Sequence, residues 1–197
     1  AKAKLIYETA NLHDVPERLC DDIEQEVSVF HECVGHVRDD INVLKDSLKS
    51  QLSPQEVALF DVYLNMLDDN ALAGEVSAKI HSGKSAQTSL KLIISEYARH
   101  FELMNDAYLS ERAVDIKDLG RRILAYLQEG TQSKLDFPDN TILVSDELTP
   151  TMLGEVPSEK LLGLVSVKGS SNSHVAILAR AMGIPTIMGV LDMPLNR

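Results

Sequence analysis

The chain has 197 residues, a net charge of −11 and 44% apolar residues. That length holds one large or two small domains, and that apolar share suffices for a packed core. The acidic balance excludes a nucleic-acid binder, which needs a basic footprint, and suits a basic protein partner.

Taken in chain order, the residues first predict helices. From Val15 the apolar positions Val15, Leu19, Ile23, Val27, Phe30, Val34, Val37, Ile41, Leu44 and Leu48 recur in steps of three and four. That spacing predicts one long helix or two in line, with a bend expected near Gly35. Ser53-Pro54-Gln55-Glu56 is a capping box with proline at the first helical position, so a new helix starts there and breaks around Asp68-Asp69-Asn70. A short helix is expected from Leu72 to Ile80, ending at Ser82-Gly83. Another, capped near Ser85, carries Leu90, Ile93, Tyr97, Phe101 and Met104 on one face. The last runs from about Ala107 to Gln128, with Ile116, Leu119, Ile123 and Leu127 inward, and closes at Gly130.

After Gly130 the period changes. Thr141–Ser145, Leu161–Val167 and Ile184–Met188 read as short buried strands punctuated by Pro138, Pro150, Pro157 and Pro185. A helix over 174–182 joins the last two in a βαβ-like crossover. The opening strand, Leu5–Glu8, is expected in the same sheet. The fold class is therefore α/β, with residues 1–12 and 131–197 forming a small α/β subdomain and residues 13–130 an inserted all-helical one. Because the chain opens strand-like without an initiator methionine and closes at Asn196-Arg197, it reads as a piece of a longer protein.

The stretch Gly169-Ser170-Ser171-Asn172-Ser173-His174 delivers a histidine onto the first turn of that last helix. Asn172 and Ser173 are good capping residues, and Gly183 is where the helix should stop. A helix N-terminus offers free N–H groups and partial positive charge, a setting that holds phosphate. An imidazole there can carry a phosphoryl group on one ring nitrogen while the other is held by a hydrogen bond. His174 is thus a phosphohistidine candidate. The other histidines assemble into nothing: of His31, Cys33 and His36 only Cys33 and His36 stand at the three-residue spacing of a helical metal site, two side chains where a site needs more, and His13, His81 and His100 stand alone. No metal site is expected. Cys20 and Cys33, thirteen apart on one helical pattern, point too far apart around the helix to pair. Two unpaired thiols imply a reducing, cytoplasmic setting. No run reaches the ~18 apolar residues of a membrane span, and no signal-peptide pattern is present, so no membrane partner is expected.

The stretch from Gly169 to Pro185 resembles the phosphohistidine motif of the phosphoenolpyruvate-utilising enzymes, with Gly169, Ser173, His174, Ile177, Ala179, Arg180, Ile184 and Pro185 at matching places. Asp106–Arg122 is similar to a helical signature of enzyme I of the bacterial phosphotransferase system, and Ile142–Pro150 resembles a third piece in the right order. Two departures, Ser170-Ser171-Asn172 before Ser173 and Leu153 where the sugar-type enzymes carry a ring-holding threonine, make the chain look more like the nitrogen-related branch. The resemblance implies an α/β phosphohistidine subdomain and an inserted helical subdomain that docks the carrier. It implies that phosphoenolpyruvate phosphorylates His174 on Nε2, and that the group passes to a histidine of a small phosphocarrier protein of the nitrogen-related branch. Magnesium and phosphoenolpyruvate would belong to a carboxy-terminal barrel that also makes the full-length protein a homodimer, so no cofactor is expected in these residues.

The same resemblance runs the carrier-binding groove through segments that contain Ala58, Met66, Leu72, Phe101 and Met104. Around the histidine, Asn172 and Ser173 are explained by capping and are candidates for direct help to the ring. Gly169 shapes the turn, and Thr149-Pro150 reads as a turn bordering the site. Arg180 is either a favourable cation near the helix end or a phosphate contact. Two other readings suit parts of the sequence: the swivelling domain of a pyruvate phosphate dikinase or phosphoenolpyruvate synthase, against which the Tyr108–Arg122 signature speaks, and a non-catalytic helical docking module.

Overall fold

The computed structural model describes residues 2–5, 11–104, 106–129 and 137–190. The chain divides into two compact units, one made of residues 1–8, 44–59 and 134–197, the other of residues 9–43 and 60–133.

The second unit is helical. It contains a 3-10 turn (Leu12–Asp14), most of α1 (Ile23–Leu48), the later turns of α2 (Pro54–Met66), α3 (Leu72–His81), α4 (Ala86–Leu103) and α5 (Ala107–Glu129). Local chemistry sets several of these ends. The Ser53 amide donates to Glu56 Oε2 at 2.7 Å while the Glu56 amide reaches Ser53 Oγ at 3.4 Å, the reciprocal capping box expected at the start of α2. Ser85 caps α4 by accepting from the Thr88 amide. Phe30, Val37, Ile41, Phe60, Val76, Ile80, Leu90, Ile94, Leu119 and Leu124 are buried and form the core. Tyr63 is buried with them and donates to Asp115 Oδ1 of α5 at 2.5 Å. Arg38 of α1 holds the end of α2 through the Leu64 carbonyl and, at 2.8 Å, Asp68. Tyr97 of α4 donates to Glu75 of α3 at 2.7 Å. That bond, with burial, pushes the Tyr97 phenol up to about 12.

One long-helix expectation fails at its start. Helix α1 begins at Ile23, not near Val15. Pro16 and the extended backbone that pairs Leu19 with Lys84, and Cys20 with the Gly83 carbonyl, take this segment out of helix. Leu19 is accordingly 79% exposed, and its place in the three-four spacing is a coincidence. The Asp22 side chain caps the true start by accepting from the Gln25 amide. Cys20 therefore precedes the helix, and the angular argument about it and Cys33 does not apply; both are free thiols.

The first unit is a four-stranded, wholly parallel sheet in the order β1 (Lys2–Leu5), β2 (Thr141–Ser145), β3 (Leu161–Ser166), β4 (Thr186–Met188). Two short helices, α6 (Pro150–Glu155) and α7 (His174–Ala181), connect β2 to β3 and β3 to β4. Parallel strands need such crossovers, since no tight hairpin can join them. Leu143, Leu164, Leu153, Val175 and Leu178 make the core beneath them. The opening strand lies at Lys2–Leu5 rather than Leu5–Glu8; residues 6–8 of that expectation, and Gly130, fall outside the described residues.

The grouping of residues 44–59 differs from the sequence division, which kept them with the helices. Leu44, Leu48 and Leu52 at the α1–α2 turn are buried. Leu44 lies against Gly154 of α6, so this helical hairpin end packs with the sheet unit. Helix α6 itself was expected only as a turn at Thr149-Pro150. Thr149 is its N-cap and Pro150 its first residue, a signature of a helix start that the surrounding short apolar runs concealed.

Candidate functional site

The strands β2 and β3 pair with Ser145 opposite Ser166, so the chain leaves both at the same edge of the sheet. Crevices beyond the carboxyl ends of parallel strands are where such sheets place their ligands. Beyond β3 the turn 167–173 folds on its own backbone. Gly169 sits at φ +92°, a conformation that costs a residue with a Cβ. The Ser173 amide donates to the Ser170 carbonyl at 3.1 Å, and the Asn172 amide to Ser170 Oγ at 3.3 Å. Ser173 then caps α7, its Oγ accepting from the Ala176 amide at 3.4 Å. His174 follows as the first helical residue, with only 7% of its surface exposed.

Helix α7 has eight residues, too few to persist without tertiary support. Its end is closed by paired bonds, Gly183 amide to Arg180 carbonyl at 3.1 Å and Ile184 amide to Ala179 carbonyl at 2.8 Å, so it stops at the glycine that the sequence marked. Arg180 is exposed and donates through Nη2 to the Ser171 carbonyl at 3.0 Å, tying the turn before α7 to the last turn of the helix. The histidine is thus set by a helix fixed at both ends. About half a positive charge accumulates at such an N-terminus.

On the other side stands α6, which packs against α7. Thr149 and Thr151 are fully buried; their hydroxyls pair at 3.1 Å, and Thr149 Oγ1 also accepts from the Met152 amide. Leu153 is fully buried as well, an apolar residue where the resemblance would place a threonine. The two loops that follow β2 and β3 are joined by Lys168 and Asp146, whose side chains meet at 2.6 Å while the Lys168 amide donates to the Asp146 carbonyl at 2.7 Å. Sequence reading overlooked this pair. Its signal was available: each residue lies just past one of two neighbouring parallel strands. A pocket of about 280 Å³ opens beside α7, lined by Ser171, Ala176, Arg180, Ile184, Thr186 and Met188.

The residues expected to bind a carrier are placed unequally. Ala58 is exposed on α2, in the part of that helix grouped with the sheet unit; the other four belong to the helical unit. Met66 and Phe101 are half-buried, and Met104 is 49% exposed just past α4. The Phe101 ring lies 6.4 Å from Tyr97 and 6.0 Å from His100. Leu72 is 5% exposed: it serves the core at the start of α3 and offers a partner little surface, because the tight turn after α2 points it inward. Among the described residues no three or more His, Cys, Asp or Glu side chains are grouped to hold a metal ion, and no helix is long and apolar enough to cross a membrane.

Comparison with known proteins adds the family. Residues 1–112 match the model described as PEP-utilising enzyme, N-terminal, and residues 137–196 the one described as PEP-utilising enzyme, mobile domain. The chain belongs to the PEP-utilising enzymes. The turn, α7 and β4 all fall in the stretch matched to the mobile domain of that family. A relative from Escherichia coli K12, named phosphoenolpyruvate-dependent phosphotransferase system, is 42% identical over 140 residues, which make up 71% of this chain and 19% of the relative. The phosphoenolpyruvate-protein phosphotransferase of Staphylococcus epidermidis is 31% identical over 196 residues, covering 96% of this chain and 33% of its own. The chain therefore spans a third or less of these PEP-utilising relatives. Among solved structures, the N-terminal domain of Enzyme 1 - Nitrogen superposes with a TM-score of 0.70 at 30% identity, over 99% of this chain and 80% of that one. A solution structure of an Enzyme I superposes at 0.71 and 26% identity, over 98% and 78%. These neighbours share the helical part and the α/β part described above.

Proposed function

We propose that this chain relays a phosphoryl group through His174, between a phosphoenolpyruvate-dependent donor site elsewhere in a longer protein and a histidine of a small phosphocarrier protein of the nitrogen-related branch. One observation carries the reading: a histidine at the first position of a capped helix, after a glycine turn, in the stretch matched to the mobile domain. In transfer from the carrier, the neutral His174 Nε2 lone pair attacks phosphorus in line. The P–N bond to the carrier histidine breaks, and its electron pair stays on that ring. The reverse step returns the group. Such transfers need positioning and charge stabilisation more than covalent help. Here the N-terminus of α7 faces the developing negative charge. Ser173 and Gly169 act by fixing the turn, and Arg180 by holding its Ser171 carbonyl. Magnesium and phosphoenolpyruvate are assigned to the remaining part of the longer protein, and no step within this chain is routed through them.

The carrier docks, on this reading, along the helical unit near Met66, Phe101 and Met104, with acidic residues meeting a basic partner and steering its approach. The nitrogen-related branch is favoured by the Ser170-Ser171-Asn172 turn and by the name of one structural neighbour. Incubation with labelled phosphocarrier proteins of both branches is the test. We expect label on His174 from the nitrogen-branch carrier, faster than from the sugar-branch carrier, and none from phosphoenolpyruvate and magnesium alone. Label on another residue refutes the relay; equal rates from both carriers refute the branch.

A further inference from the structure

The proposed relay leaves open what holds α6 and α7 in place, and the structure assigns that task to Leu44 and Gly154 as positioning residues. Helix α6 has six residues, well below the length at which a helix supports itself, so packing alone decides where it lies. One of its sides meets α7. At Gly154 it meets Leu44, from the last turn of α1. The approach is so close that a Cβ on Gly154 would stand 1.7 Å from Leu44 Cδ1 and 2.7 Å from its Cγ. Only glycine permits this contact with both residues in place. Leu44 is buried there, as are Leu48 and Leu52 beyond it and Met152 and Leu153 on α6.

The consequence runs in a short chain of packed parts. Leu44 seats on Gly154, α6 lies against α7, and His174 is the first residue of α7. Packed interiors transmit such displacements because they have few voids to absorb them. Widening the Leu44–Gly154 contact should therefore move α6 and, through it, the imidazole.

The inference rests on the relay reading for its rate measurement but not for its structural one. Gly154→Ala should slow phosphoryl exchange between His174 and the phosphorylated nitrogen-branch carrier by about 10-fold or more, the scale at which sub-ångström to ångström misplacement costs rate. Carrier affinity should stay as in the parent, and the His174 imidazole resonances should shift in the unphosphorylated chain. The double variant Leu44→Ala/Gly154→Ala removes the side chain that the new methyl meets. It should restore the exchange rate and return the ring resonances towards the parent. A Gly154→Ala chain with unshifted resonances overturns the inference, and so does a double variant that stays displaced. If the parent accepts no phosphate, the relay reading falls, and the ring resonances of the single and double variants still decide this one.

Discussion

The two units bury polar groups of different kinds. In the helical unit the buried polar side chains include three that are ionisable and charged in water, Asp115, Asp118 and Arg122. They are matched: Asp115 receives Tyr63 and lies 3.4 Å from Arg112, and Arg122 Nε lies 3.5 Å from Asp118. In the sheet unit the buried polar side chains among the described residues are Thr141, Ser145, Thr149, Thr151, Ser166, Ser173 and His174, hydroxyls and one imidazole with no carboxylate. Burying a charge is tolerable only with a partner held in good geometry, and such partners fix which helix meets which. Hydroxyls satisfy local backbone at lower cost and leave the surroundings neutral. On the proposed relay reading, a site for a dianionic phosphoryl group gains from the second arrangement, since a buried carboxylate nearby would repel it.

The contrast can be broken in order of expected effect. His174→Ala should abolish phosphoryl acceptance while leaving circular dichroism unchanged; retained acceptance would move the chemistry off this residue. Asp115→Ala should destabilise the helical unit by about 3–5 kcal/mol in urea unfolding, because it leaves the buried Tyr63 hydroxyl without its acceptor and takes one carboxylate away from Arg112. Tyr63→Phe keeps the ring but leaves Asp115 one donor short, and should cost about 1–3 kcal/mol. A smaller pair sharpens the comparison between units. Ser173→Ala and Ser85→Ala each remove a cap worth about 1 kcal/mol, yet only the first should slow exchange at the histidine. Equal slowing by both would mean that stability, not position, limits the reaction.

Chemical access and pH provide the mildest tests. His174 should react with diethyl pyrocarbonate more slowly than the exposed His13, His31, His36, His81 and His100. Comparable reactivity would show that the ring opens readily. Because the folded Tyr97 phenol is raised to about 12 by its bond to Glu75 and by burial, it favours the fold while neutral. That contribution is full below the ordinary phenol value near 10 and is lost as pH climbs through about 12. Ultraviolet titration of the parent against Tyr97→Phe should isolate this late-ionising group, and a Tyr97 midpoint near 10 would show that the bond is absent in solution.

What the sequence determined by itself was the punctuation. The starts of α2, α4 and α7 at Ser53-Pro54, Ser85 and Ser173, and the stop at Gly183, were legible because each depends on residues within five positions of one another. The motif around His174 was legible for the same reason, being one continuous turn and helix. Tertiary structure decided what depends on distant partners. Val15–Cys20 lost its helix to backbone pairing with Lys84 and Gly83. Tyr63 found Asp115 fifty-two residues away. The end of the α1–α2 hairpin went to the sheet unit because α6 presents a glycine to Leu44, and Leu72 was drawn inward although the pattern allowed it a surface role. Caps and turns close short loops at little entropic cost and write themselves into adjacent residues, whereas burial and long-range pairing are settled only when the whole chain competes for the same interior.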